Sequence, residues 1–136
     1  MIRQEILTLP PMRRGLHLIT DRIAPFVRGT QTGVLHLFLQ HTSASLILTE
    51  NYDPDVRRDT EYFLSRLIPD GWEGFTHTLE GADDMPAHLK SMILGVSLTL
   101  PVSEGTLALG TWQGIYLYEH RDRASARRIV MTLQGD

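Results

Sequence analysis

The sequence contains no cysteine in its 136 residues, and this absence excludes several classes of protein. Without thiols there is no disulfide framework, no thiolate nucleophile and no cysteine-ligated zinc or iron–sulfur site. No apolar run approaches the ~20 residues that a membrane-spanning helix needs, and the first residues lack the pattern of a secretory signal. We therefore expect a cytoplasmic protein with no membrane partner.

A surplus of charge of one sign is also missing. The chain has 13 basic and 16 acidic residues, for a net charge of −3, and the two signs are interspersed. Such a chain has no broad basic surface for nucleic acid, so we expect no nucleic-acid partner. The glycine-rich nucleotide motifs, the P-loop, the serine-hydrolase elbow and the HExxH zinc motif are absent too.

The patterning that is present predicts one α+β domain over residues 1–136. Short alternating apolar segments, bounded by glycine, proline or charged turns, outnumber the segments with helical period. Because the helices are not regularly interleaved with strands, we expect a mostly antiparallel sheet or sandwich of about eight strands with two main helices. The predicted strands cover residues 2–9, 15–20, 34–39, 45–49, 97–102, 106–109, 115–120 and 127–133.

The second main helix begins after two acids, Asp83 and Asp84, and ends at Gly95. Acids at a helix start and a glycine just past its end are typical boundary signals. An apolar stripe along this helix predicts that His88 lies on its buried side. The stripe consists of Met85, His88, Leu89, Met92 and Ile93.

Polar side chains concentrate in residues 41–56, HTSASLILTENYDPDV. A strand in this segment leads directly into a helix, because Asp53 and Pro54 form an N-cap with proline at the first helical position. Strand ends on a rigid scaffold commonly present polar groups to a ligand. The alternative is that these side chains only bind the backbone of the turn. The candidates in this segment are His41, Glu50 and Asn51 as catalytic groups and Thr42 and Ser43 as substrate-binding groups; His88 on the second main helix is the fourth catalytic candidate.

Three of the six histidines lie on different elements: His41 at a strand end, His77 in a glycine-rich loop and His88 on a helix. If the rings converge, their neutral imidazoles suit a zinc-type divalent metal. A magnesium ion would instead use carboxylates, and the candidates for this are Asp53, Asp83 and Asp84. A lone histidine on an apolar stripe is more often a core residue bonded to a carbonyl.

Two further patterns suggest ligand contacts. Gly110 to Gly114 places Trp112 and Gln113 between flexible glycines, a layout that suits a flat ring, although a tight β-turn with a core tryptophan explains it equally well. Arg121 and its neighbouring arginines can hold phosphate oxygens, or they can form a solvated face. We expect a small phosphorylated heterocycle or another anion as partner.

The motifs HTSASL, EN, DDMPAHLK and LGTWQGIYL occur in this order along the chain. Together they resemble the secondary thiamine-phosphate synthase family, and the resemblance covers nearly the whole chain. The resemblance implies an α+β homotrimer that joins a thiazole phosphate to a pyrimidine methyl diphosphate with release of pyrophosphate. It also implies functional positions at His41, Glu50, Asn51, His77, His88 and Gln113. The alternative function is a trimeric, metal- or anion-dependent binding protein for a small metabolite, without that turnover.

Overall fold

Strands make up most of the regular structure in the computed structural model, which describes residues 1–136. The eight strands are β1 (Ile2–Leu9), β2 (Gly15–Leu18), β3 (Thr32–Leu39), β4 (Ala44–Glu50), β5 (Ser97–Ser103), β6 (Thr106–Leu107), β7 (Gln113–Glu119) and β8 (Arg127–Gly135). The helices are α1 (Thr20–Ile23), which continues as a 3₁₀ turn (Ala24–Val27), α2 (Pro54–Leu67) and α3 (Asp84–Leu94). The α+β prediction with about eight strands and two main helices is confirmed.

The strands form two sheets in which every pair is antiparallel. The larger sheet has the order β1-β8-β3-β5-β6 and the smaller one β2-β7-β4. Alternation along β3 places Leu35, Leu37 and Leu39 in the core, whereas Val34 and Phe38 on the opposite face are exposed. This is the period of two that a sheet with one covered face requires.

Helix α2 starts where the sequence predicts. The Asp53 side chain accepts a hydrogen bond from the backbone N–H of Asp55 at 2.9 Å, and Pro54 occupies the first helical position. This cap satisfies one of the backbone donors that a helix start leaves free. None of the helices is long and apolar enough to cross a membrane.

The predicted apolar stripe of α3 is wrong in its C-terminal half. Met92 and Ile93 are 68% and 65% exposed, and the helix is instead buried along a face that includes Ala87, Lys90 and Ser91. The hydroxyl of Ser91 donates to the backbone carbonyl of Ala44 at 2.9 Å. The small side chains of Ala87 and Ser91 let the helix lie close to β4, and Met92 and Ile93 are left on the outer side. With α3 oriented in this way, its first turns lie at the Ala44 end of β4.

Candidate metal centre and adjoining cleft

Four side chains around the start of α3 bring ligand-type atoms together. Asp84 and His88 are four residues apart on the helix and therefore share one face. His77 and Glu80 come from the loop between α2 and α3. One imidazole nitrogen or carboxylate oxygen from each of the four residues lies within 4.8 Å of every other. Two histidines and two acids are thus presented to a common point.

The distances within this cluster centre on one oxygen. The Nε2 atoms of His77 and His88 lie 2.6 and 3.0 Å from Oδ2 of Asp84, and His77 Nε2 is 3.3 Å from Oε2 of Glu80. Ligands about 2.0–2.1 Å from a tetrahedral zinc ion stand roughly 3.3 Å apart. The cluster therefore has nearly the spacing of a cation shell, slightly contracted.

The hydrogen bonds of His88 fix where its proton lies. Its Nδ1 is 2.7 Å from the backbone carbonyl of Thr42, and a carbonyl only accepts, so Nδ1 carries the hydrogen. In a neutral ring Nε2 then directs a lone pair at the carboxylate of Asp84. Two acceptors 3.0 Å apart require a positive charge, either a proton on His88 or a cation between them. A histidine bonded to a carbonyl through its other nitrogen is the usual arrangement around a metal.

Asp84 is almost fully buried and remains ionised. Its second oxygen, Oδ1, is 2.7 Å from the guanidinium of Arg121. Burial alone would raise the pKa of Asp84, but the hydrogen bond from His77 and the charge of Arg121 outweigh it and lower that pKa. The hydrogen bond with Asp84 in turn raises the pKa of His77. The centre is therefore a buried negative charge with imidazoles arranged on it.

Arg121 also orients the loop that carries the other ligands. It donates to the backbone carbonyl of Glu80 at 2.9 Å and lies 3.4 Å from the carboxylate of Asp83. Asp83 accepts a further bond from the backbone N–H of Asp122 at 2.8 Å. Arg121 thus contacts acids of its own chain, and its predicted role in substrate binding remains a prediction.

A cleft of about 740 Å³ opens beside the cluster. His41, Thr42 and His88 line its polar part, and Phe38 and Met92 contribute apolar surface. His88 belongs both to the cleft and to the metal-type cluster, so a ligand in the cleft would contact the edge of that cluster.

His41 lies in the cleft but outside the four-residue cluster. Its Nε2 accepts a hydrogen bond from the backbone N–H of Arg128 at 2.8 Å, which leaves the ring proton on Nδ1. Burial, together with the charge of Arg127, lowers the pKa of His41 and favours the neutral ring. Of the three histidines predicted as metal ligands, the structure therefore brings together His77 and His88, while His41 lies outside the cluster and accepts a backbone hydrogen bond.

Ser43 lies behind the cleft in a buried ion pair. Arg127 binds the carboxylate of Glu119 through two bonds of 2.7 and 2.6 Å and donates to the Ser43 hydroxyl at 2.9 Å. This bidentate pair holds the chain that leads from His41 into β4. The hydroxyl of Ser43 is thus used within the protein.

The other predicted site residues lie at the opposite end of β4. The register pairs Ala44 with Glu119 at one end and Glu50 with Gln113 at the other. At ~3.4 Å per residue, seven residues separate the two ends by about 20 Å. The residues that the structure places at this far end are Glu50, Asn51, Trp112 and Gln113.

At that far end the side chains bind nearby backbone. The Glu50 carboxylate accepts from the N–H groups of Tyr52 and Asp53 at 2.5 and 2.9 Å. The Asn51 amide donates to the Gln113 carbonyl at 3.2 Å, and the Gln113 side chain accepts from the N–H of Gly110 at 2.8 Å. Trp112 is 57% exposed and packs edge-on against Tyr52.

The sequence alone did not indicate Glu80 as a metal ligand. It indicated Asp84 only as a carboxylate ligand of a magnesium ion. The all-carboxylate set is divided in the structure, because Asp53 caps α2 while Asp83 binds Arg121. The spacing of Asp84 and His88, four apart on one helix, was the signal that could have shown the mixed cluster.

This geometry defines a class of protein: a small α+β protein with a two-histidine, two-carboxylate cluster beside a cleft. The chain belongs to the YjbQ family, since the family model described as "UPF0047 protein YjbQ-like" matches residues 5–136.

Relatives in sequence and structure agree with this assignment. The chain is 54% identical to UPF0047 protein YjbQ of Salmonella typhimurium, with 98% of each chain covered. It is 42% identical to a UPF0047 protein of Synechocystis, with 98% of this chain and 92% of that protein covered. The crystal structure of a YbjQ-like protein of unknown function from Sulfolobus solfataricus has a TM-score of 0.88 at 26% identity, covering 100% of this chain and 99% of that chain. A YjbQ/UPF0047 family protein from Clostridium acetobutylicum has a TM-score of 0.85 at 31% identity, covering 96% and 99%.

These matches correct the expectation of a secondary thiamine-phosphate synthase, which is wrong. The matching family is UPF0047 YjbQ-like, and the names of these relatives refer to no thiamine chemistry. A transferase activity and a place in thiamine biosynthesis therefore have no support from them.

Proposed function

We propose that this protein binds a divalent transition-metal cation at His77, Glu80, Asp84 and His88 and uses it to hold a small anionic ligand in the adjoining cleft. One observation carries the proposal: two imidazole nitrogens lie within 3.0 Å of the same Asp84 oxygen, while His88 is bonded to the Thr42 carbonyl through its other nitrogen. A cation at this point would take the place of the protons that otherwise bridge the imidazoles and the Asp84 carboxylate.

The ligand set favours a zinc-type ion. Imidazole nitrogen suits zinc, nickel and iron, whereas magnesium takes oxygen ligands and keeps several waters. Two carboxylates and two neutral imidazoles leave the charge of a divalent ion balanced. Glu80 is largely exposed, with 63% of its side chain accessible. An exposed, displaceable ligand leaves a position on the metal that a ligand oxygen can take.

The cleft supports an anion as that ligand. His41 presents an N–H at Nδ1, and the bound cation would provide the neighbouring positive charge. Phe38 and Met92 add apolar surface for the rest of the molecule. An apolar cleft with a few convergent polar groups is the usual form of a small-ligand site.

Calorimetric titration of untagged, metal-free protein with Zn²⁺ tests the cation site. We expect one ion per chain, and we expect D84N and H88Q each to weaken binding at least ~100-fold, as loss of a coordinating group does. Glu50→Gln is the matched control, because the Glu50 carboxylate is about 20 Å away along β4. The Zn²⁺ affinity of this variant should equal that of the unmodified protein. Equal Zn²⁺ affinity in D84N would contradict the proposal.

Anion binding is tested by thermal shift with inorganic phosphate and citrate, in the presence and absence of Zn²⁺. The proposal requires a shift that depends on the metal and is smaller in His41→Phe, which removes the Nδ1 donor. A shift of the same size without metal, or in D84N, would show that the anion binds elsewhere.

We also propose a cytoplasmic homotrimer. The outer face of the larger sheet exposes Ile2, Ile6, Val34 and Phe38, which the strand register places on the same side. Apolar area of this kind is typical of a surface covered by another subunit, and symmetric closure would also cover free sheet edges. Multi-angle light scattering should give three times the chain mass, and Phe38→Glu should lower it; a monomeric mass for the unmodified protein would contradict this assembly.

A further inference from the structure

A second cavity, of about 260 Å³, lies in the loop between α2 and α3. Trp72, Glu73, Phe75, His77 and Thr78 line it. No residue lines both this cavity and the larger cleft. His77 connects it to the cluster described above.

The loop that forms this cavity is fixed at both ends. The N–H of Gly71 donates to the carbonyl of Ala82 at 3.0 Å and closes the loop. Arg14 holds Asp70 through two bonds of 2.7 and 3.2 Å, and Arg121 holds the carbonyl of Glu80 at the other side. A loop closed and anchored in this way keeps a defined shape, as compact functional loops do.

Two aromatic rings form the wall of the cavity. Trp72 and Phe75 meet edge to face, with ring centroids 5.4 Å apart and planes at 74°. Trp72 is 59% exposed and neither ring belongs to the hydrophobic core. A core tryptophan contributes to stability by burial, so an exposed Trp72 beside a half-buried Phe75 provides surface for a ligand rather than for folding.

The size and charge of the cavity define what fits it. A cavity of about 150 Å³ is enough for benzene, so the volume here accepts one ring with a small substituent. Glu73 and His77 are the titratable groups of the lining, and no lysine or arginine takes part. This balance favours an uncharged occupant, and Thr78 and the backbone offer hydrogen bonds to a polar substituent.

We propose that this cavity is a binding site for a small, uncharged, planar ring that carries a hydrogen-bonding group. The ring packs against Trp72 and Phe75, and its substituent bonds near Thr78. The site shares no residue with the larger cleft and only His77 with the cation cluster, so the ring contacts with Trp72 and Phe75 form without the cation.

Tryptophan fluorescence isolates this site, because the chain has only two tryptophans, Trp72 and Trp112. In W112F all emission comes from Trp72. Titration with benzamide, which is planar and uncharged, should give a saturable change in that emission. Adding Phe75→Ala should weaken binding at least ~10-fold, since it removes one of the two ring contacts.

The control is W72F, in which Trp112 reports alone and benzamide should cause no saturable change. A non-saturable response in W112F, or an unchanged affinity after Phe75→Ala, would overturn the inference. Phe75 lies in the loop outside the core, so circular dichroism of the variant should match that of the parent protein. Zn²⁺ titration of the same variants separates the two proposals. Normal Zn²⁺ binding without benzamide binding would contradict the ring-binding cavity and leave the proposed cation site intact.

Discussion

The two ends of the β4–β7 ladder carry similar polar side chains but use them differently. At the Glu50 end, the Glu50 carboxylate and the Gln113 amide oxygen accept hydrogen bonds from backbone N–H groups of the same chain. At the Asp84 end, two imidazole nitrogens converge on one carboxylate oxygen. Side chains that bond backbone groups of their own turn mark a structural role, whereas two imidazoles gathered on one buried carboxylate mark a place for a cation. The residue types alone do not distinguish these ends.

The largest effect on stability should come from the ion pair that supports the Asp84 end. Glu119 and Arg127 are buried, with 0% and 5% of their side chains exposed. Glu119→Gln leaves the arginine charge buried without a counter-ion, so we expect a loss of about 3–5 kcal/mol in the free energy of unfolding. Urea denaturation measures it.

The control is Arg58→Ala, which removes an exposed pair with Asp55 on α2. Exposed pairs contribute about 0–1 kcal/mol, so this variant should unfold near the midpoint of the parent protein. Equal midpoints for both variants would show that the buried pair does not support this end of the ladder.

Acid should destabilise the same end through His120. Burial, with the charges of Lys90 and Arg14, lowers the pKa of this ring to about 3, below its ordinary value of 6.5. Between these values the unfolded chain binds a proton that the folded chain does not, so stability falls as pH decreases. For this one proton the loss is about 1.4 kcal/mol per pH unit.

His120→Gln removes that proton site and keeps a partner for the Ser45 hydroxyl, which lies 2.9 Å from Nε2 of His120. Urea midpoints of the two proteins between pH 6 and 4 should therefore diverge, with the variant losing less stability. Parallel pH profiles would assign the acid sensitivity to other groups.

The Glu50 end should respond to substitution by a smaller amount. Glu50→Ala removes an acceptor from two backbone N–H groups ahead of α2, and we expect a loss of about 1 kcal/mol, as for a helix cap. Thermal unfolding detects this change. A simultaneous loss of Zn²⁺ affinity would contradict the division of the ladder into two ends.

The smallest effect belongs to Trp112. Because the ring is 57% exposed, Trp112→Phe should change the free energy of unfolding by less than ~0.5 kcal/mol. Its Zn²⁺ affinity should equal that of the unmodified protein. A large decrease in ligand binding with unchanged stability would instead support the earlier prediction that Trp112 contacts substrate, in a neighbouring subunit of an oligomer.

The strands and helix starts were largely predictable because they depend on neighbouring residues. The prediction of a strand over residues 2–9 matches β1 at both ends. Asp53 and Pro54 predicted the start of α2 correctly, since a cap needs only the next few residues. The buried face of α3 was not predictable in the same way. It depends on how closely Ser91 can approach β4, and this is a property of the assembled sheet.

The candidate site shows the same division. Asp84 and His88 share a helix face by their spacing alone. Whether His77 joins them depends on the fold of a loop closed by Gly71 and Ala82.

The sequence by itself determined the α+β class, the approximate positions of the strands and the start of α2, because alternation and capping act between residues close in the chain. Only the tertiary structure decided which histidines meet. Strand pairing brings the backbone of Arg128 to His41, 87 positions earlier, and holds that ring outside the metal-type cluster. Distances between remote side chains follow from sheet register and helix rotation, and neither is fixed by local chemistry.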